Sequence, residues 1–211
     1  MESILTDLAQ KIKISHTAVL VIDMQNVYCA EGYPEGSGID KTAIRSMIPR
    51  LQQFLIQLRK KNVTIVFVGT VMNVGDFSSS IKELCIRHYG KEVAYCMRNS
   101  WEAEFIPEIH PDANEIVIEK TRYSAFFKTD LDARLRDLGI ATLIVTGVGT
   151  NVCVETTCRD GFMHDYYIVV PRDLVATTDS KLHKSSLLNL DRYFTTVTSS
   201  KDILQLWGKE D

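Results

Sequence analysis

Short apolar runs with a β-branched bias recur along the chain, and stretches with helical spacing alternate with them. TAVLVID (17–23), VTIVFVG (63–69), EIVIE (115–119), LIV (143–145) and residues 166–170 read as strands, with 194–197 as a sixth candidate. Between the first two, Ile44, Met47, Ile48, Leu51, Phe54, Leu55 and Leu58 recur every three or four residues, which predicts a helix within 39–62. Further helices are expected at 81–89, at 131–138 with Gly139 as its stop, at 152–164 and from 180 to 189, with a closing turn at 203–207. Strands that are apolar on both faces and alternate with helices predict a parallel sheet covered by helices on each side. The 211 residues suffice for one such domain over 1–211 with a full core, and no shift in composition marks a second. Residues 24–38 and 70–80 read as loops, and 90–114, the least regular part, as a lid or pocket wall.

In parallel sheets of this kind ligands bind beyond the carboxyl ends of the strands, so polar residues that end strands are candidate site residues. The stretch LIVTGVGTNVCVETTCRDGF (143–162) runs from a strand through a small-residue turn into a helix, and Cys153 falls at that helix's first turn. A helix N-terminus favours a thiolate, and its free N–H groups can hold a developing oxyanion. A free Cys is as often a small buried hydrophobe, and the local sequence supports both readings equally. Asp23 ends the first strand and Lys120 the third. Singly, Asp23 could cap its loop and Lys120 could reach solvent. Together, an acid, a cation and a thiol on one rim are what nucleophilic catalysis requires.

The net charge of -3 argues against a nucleic-acid footprint. The N-terminal MESILTDLAQKIKI lacks the apolar core of a signal peptide, and no apolar run is long enough to span a membrane. Cys29, Cys85, Cys96, Cys153 and Cys158 are odd in number and follow no disulfide framework, so reduced thiols in the cytoplasm are expected. His16, His88, His110, His164 and His183 stand apart and suggest no metal cluster, only surface or helix-end positions.

VLVIDMQN (19–26), EKTRYSAFF (119–127) and TGVGTNVCVETTCRDGF (146–162) resemble the isochorismatase-like cysteine hydrolases, and the resemblance runs over nearly the whole chain. It implies a three-layer α/β/α fold with a six-stranded, mostly parallel sheet, and a catalytic triad of Asp23, Lys120 and Cys153. It also implies a non-proline cis peptide joining Val148 to Gly149, and an oxyanion hole made by the backbone N–H groups of Gly149 and Cys153. Nicotinamidases of the family carry an Asp-x-His metal motif after the second strand; here that region reads TVMNVGDF, with Asn73 and Asp76 but no His, so neither a metal nor another cofactor is expected. DMQNVY (23–28), NSWEAE (99–104), TRYSAFF (121–127) and NVCVETTCRDGF (151–162) most resemble the ureidoacrylate amidohydrolases, with biuret and N-carbamoylsarcosine hydrolases as neighbours. The segment 70–98 looks shorter than in the ureidoacrylate enzymes, which leaves the substrate within the ureido and amide class open.

The resemblance therefore implies cysteine-dependent hydrolysis of a small ureido or carbamoyl compound through a thioester. For the pocket, the amides of Asn26 and Asn73 suit ureido groups, and Trp101 and Tyr123 suit walls. Asn26 could instead brace its loop, and Trp101 could belong to the core or a subunit interface. Arg159 and Asp160 read as an ion pair or a solvated face. Cys158, five residues after Cys153, lies on another helix face, which argues against a redox dithiol. A metal-free nicotinamidase, a thiol protein and a non-catalytic binding protein are the alternatives. By analogy with the family, a homodimer or homotetramer is expected.

Overall fold

The computed structural model of the protein describes residues 4–33 and 39–208. After a short helix α1 (Leu8–Lys11) come β1 (Thr17–Ile22), the helical turn α2 (Asn26–Cys29), α3 (Thr42–Lys60), β2 (Thr64–Thr70) and α4 (Ser79–Tyr89). Then follow β3 (Ile116–Lys120), α5 (Leu131–Asp137), β4 (Thr142–Val148), α6 (Glu155–Met163), β5 (Tyr167–Pro171), β6 (Val175–Ala176), α7 (Ser180–Tyr193), β7 (Thr196–Thr198) and α8 (Ser200–Trp207).

The sheet runs β3-β2-β1-β4-β5-β7, with the two-residue β6 beside β4, and every pairing is parallel. Six of its strands fall where apolar runs predict them. The seventh, Val175–Ala176, is too short to carry a periodic signal, so the expected count of six is corrected to seven. The sixth expected run, 194–197, shifts to 196–198 because α7 continues to Tyr193.

Alternation along the strands divides the core into two layers. Val19, Val21, Ile65, Phe67, Ile144 and Val169 face α3 and α8, against Met47, Leu51, Phe54, Leu55, Leu58, Ile203 and Trp207. Ala18, Leu20, Ile22, Val66, Val68, Leu143 and Val145 face the other way, against Leu131 and Leu135 of α5, Cys158 of α6 and Leu190 of α7. Helix α3 buries the seven apolar residues its spacing singles out. The expected loop 24–38 opens with the helical turn α2, and its residues 34–38 lie outside the described residues. Among the described residues no helix is long and apolar enough to cross a membrane.

The strand order reverses between β1 and β4, which opens a crevice at the carboxyl edge between them. Gly147 holds that junction. It pairs with Ile22, has φ of 106°, and a Cβ added there would lie 2.1 Å from the Ile22 carbonyl oxygen. Both the positive φ and the backbone contact exclude a side chain. Gly147→Ala is expected to cost about 3 kcal/mol, read from chemical denaturation midpoints at unchanged slope. A loss below about 0.5 kcal/mol would mean that the β1–β4 junction yields easily.

Candidate active site

Four strand ends meet on the rim. Asp23 follows β1, Thr70 ends β2, Lys120 ends β3, and the turn after β4 carries Cys153. The first three sit in register, because Thr70 pairs directly with Lys120 and the Asp23 N–H donates to the Val68 carbonyl at 2.8 Å. All four side chains are buried, Cys153 being the most accessible at 8%.

The Lys120 ammonium is the hub. It lies 2.9 Å from Asp23 Oδ2, donates to Thr70 Oγ1 at 2.8 Å, and approaches Cys153 Sγ at 3.5 Å. Thr70 Oγ1 donates in turn to Asp23 Oδ1 at 3.1 Å. Asp23 Oδ2 is ion-paired to Lys120 but accepts no aligned hydrogen bond among the described residues, so a carboxylate lone pair stays open beside the thiol. Burial alone would push the Lys120 pKa down; the Asp23 carboxylate and the contact with the Cys153 sulfur outweigh it, and the ammonium is held above the ordinary lysine range. The Cys153 thiol is pushed up, first by burial and then by Asp23, with Lys120 opposing. The resting thiol therefore keeps its proton at neutral pH, and a base must take it for the sulfur to act as a nucleophile.

Local backbone explains these positions. Asp23 has φ of 51°, a left-handed conformation Asp tolerates, which bends the chain sharply out of β1. The Val148–Gly149 peptide is cis. Cys153 does not sit in the first turn of an α-helix, as the sequence suggests. Residues Thr150–Val154 form a π-helical turn, with the Val154 N–H reaching the Gly149 carbonyl at 3.3 Å, and the regular α6 begins only at Glu155. Wider turns of this kind concentrate at functional sites.

Gln25 and Thr70 join this hydrogen-bond network, and the search for charged strand ends passes over both. Gln25 is fully buried; its Nε2 donates to the carbonyls of Thr70 (2.8 Å) and Ala103 (2.7 Å), and its Oε1 accepts the Thr70 N–H at 2.8 Å. It clamps the end of β2 from both sides. The strand-end rule alone could have found Thr70; Gln25 offered only its place two residues after Asp23.

A cavity of about 560 Å³ opens over the thiol, lined by Cys153, Thr70, Tyr28, Tyr95, Tyr123, Arg122 and the inner face of α4, among others. Tyr123 lines it; Asn26, Asn73 and Trp101 do not. The Asn26 side chain donates to the Trp101 carbonyl at 2.8 Å, which braces the loop. Asn73 caps an exposed turn through Asp76 and accepts from Arg98. Trp101 is half exposed and packs edge-on against Tyr33. Arg159 pairs with Glu155 rather than Asp160, as i,i+4 spacing on α6 favours. His183 takes the helix-end alternative rather than the surface one: in the first turn of α7 it is half-buried, and its Nδ1 shares a 2.9 Å hydrogen bond with Thr150 Oγ1 at the start of the π-helical turn. Among the described residues no group of His, Cys, Asp and Glu is placed to hold a metal ion.

A buried ion pair beside a protonated thiol, at the floor of a cavity, suits covalent attack on a small neutral carbonyl. Known proteins similar to this chain include hydrolases of carbon–nitrogen bonds. The family model described as "Isochorismatase domain" matches residues 17–202. The ureidoacrylate amidohydrolase RutB of Caulobacter vibrioides is 32% identical over 209 residues, covering 92% of this chain and 92% of that protein. Among solved structures, a cysteine hydrolase from Pseudomonas syringae pv. phaseolicola superimposes with a TM-score of 0.84 at 26% identity, covering 100% of both chains. The N-carbamoylsarcosine amidase of Thermoplasma acidophilum does so with a TM-score of 0.70 at 27% identity, covering 88% of this chain and 96% of that one.

Proposed function

The chain belongs to the isochorismatase family and is an amidohydrolase of carbon–nitrogen bonds outside peptides, and on that premise we propose that it hydrolyses a small ureido or carbamoyl compound through a thioester on Cys153. The observation that carries the mechanism is the Cys153 thiol beside the open lone pair of Asp23 and within 3.5 Å of the Lys120 ammonium.

Asp23 takes the thiol proton through its open oxygen, while Lys120 stays an ammonium and balances the charge of the pair. The thiolate attacks the substrate carbonyl carbon, and the oxyanion accepts the N–H groups of Gly149 and Cys153; losing one such donor costs about 3–4 kcal/mol in transition-state stabilisation. Asp23 returns its proton to the departing nitrogen, which leaves as an amine or ammonia. The carboxylate then activates a water, which cleaves the thioester and restores the thiol. Tyr123, on the cavity wall, contacts the substrate.

Ammonia release from ureidoacrylate, biuret, N-carbamoylsarcosine and nicotinamide tests the substrate class. At least one ureido compound is expected to exceed nicotinamide by about 100-fold in kcat/KM, the discrimination that pocket fit supplies. Nicotinamide as the best substrate, or no turnover of any ureido compound, would overturn the assignment.

A further inference from the structure

We propose that the cavity takes an anionic substrate, a ureido acid, and that Arg122 is the residue that holds its carboxylate. The inference rests on the ureido reading above for the reacting end and on Arg122 alone for the distal end.

Arg122 lines the same cavity as Cys153 and follows Lys120 by only two residues. Its guanidinium is fixed from one side: Nη1 donates to the backbone carbonyls of Asp76 (3.1 Å) and Thr121 (2.7 Å). Nε and Nη2 have no acceptor among the described residues; the Asp76 carboxylate, held low first by its hydrogen bonds from Asn73, also feels the Arg122 charge but is committed to Asn73. Those two nitrogens form the side-on fork that grips a carboxylate with two parallel hydrogen bonds. The same fork in Arg59 is filled, Nε and Nη2 each reaching a carboxylate oxygen of Glu115 at 2.9 Å. The cavity's other cation is already matched, because Arg87 donates to Glu83 one turn back on α4. Asp160 also lines the cavity, but two turns along α6 from Cys153, roughly 10 Å on a 1.5 Å rise per residue. Arg122 is thus a half-buried, pre-oriented cation whose carboxylate-binding edge is unfilled, close in the chain to the reacting groups.

The test compares 3-ureidoacrylate with its neutral methyl ester, following ammonia release. The unsubstituted protein is expected to prefer the acid by about 100-fold in kcat/KM, as a desolvated charge-assisted pair supplies. Arg122→Gln is expected to bring that preference close to one, mainly by raising KM for the acid. Arg122→Lys keeps the charge without the fork and is expected to fall between. Equal losses on acid and ester in both variants would assign Arg122 to bracing its loop, and no preference for the acid in the unsubstituted protein would also overturn the proposal. If neither compound is hydrolysed, the ureido reading falls, and the same pair is read as protection of Cys153 from iodoacetamide. Protection by the acid alone, lost in Arg122→Gln, then upholds the anion site, and equal or absent protection overturns it.

Discussion

Cys153→Ala is expected to lower turnover by at least about 10⁴-fold, because among the described residues no other thiol lines the cavity to take over as nucleophile. Cys158 is fully buried on α6, its thiol is pushed up by burial, and it does not line the cavity. Cys96 is fully buried and likewise pushed up, to about 12, mainly by burial. The substitution removes only the sulfur and leaves the Asp23–Lys120 pair in place, so the variant should fold and unfold like the parent to within about 1 kcal/mol. Protein quenched in acid during turnover should carry the acyl group on the peptide containing Cys153, and the variant should carry none. Turnover retained within tenfold, or an acyl group on another residue, would remove Cys153 from the mechanism.

Lys120→Met is expected to destabilise the protein by about 3–5 kcal/mol. A buried ion pair that loses one partner leaves the other charge without compensation, and the side chains of Lys120 and Asp23 are 0% and 1% exposed. Thr70 would be the one partner left for the carboxylate among the contacts described, through its 3.1 Å hydrogen bond. Adding Asp23→Asn removes the stranded charge, so the double variant should recover about 2 kcal/mol relative to Lys120→Met alone. Because the ammonium pKa is raised, the stabilisation is fully present below the unfolded lysine's value of about 10.4 and is lost only as pH rises through the higher folded value. Denaturation at pH 7 therefore reads the whole effect. A loss below about 1 kcal/mol, or a double variant no better than the single, would mean that the carboxylate finds another partner.

What was legible in the sequence follows from how strongly each residue type is constrained. The seven buried apolar residues of α3 and the apolar strands β1, β2 and β4 were legible because burial on a regular element leaves a period. Asp23 and Lys120 stood out because a charge ending an apolar strand is rare without a purpose. Thr70 did not, since Thr is an ordinary strand residue, and nothing in VTIVFVGT distinguishes a hydroxyl held between an ammonium and a carboxylate from one that packs. The π-helical turn was hidden because it depends on hydrogen-bond register across five residues rather than on side-chain pattern. The roles of Asn26, Asn73 and Trp101 depended on loop geometry, which has no period at all. Arg122 lies inside TRYSAFF (121–127), yet its unfilled fork is visible only with its neighbours in place.

Gln25 ties the rim to a neighbouring segment. It and its neighbours make their hydrogen bonds to the segment around 101–106 through main-chain atoms of that segment: Gln25 to the Ala103 carbonyl, Asn26 to the carbonyls of Trp101 and Glu104, and Met24 from the Ile106 N–H. Every amino acid offers those carbonyls, and all but proline that N–H. The polar part of the joint between the reacting rim and this segment is thus indifferent to side chains, and its apolar part, Phe105 against Phe67 and Ile106 in the core, is not. Side chains along 101–106 that stay clear of that apolar contact can therefore change without moving the acid, the cation or the thiol.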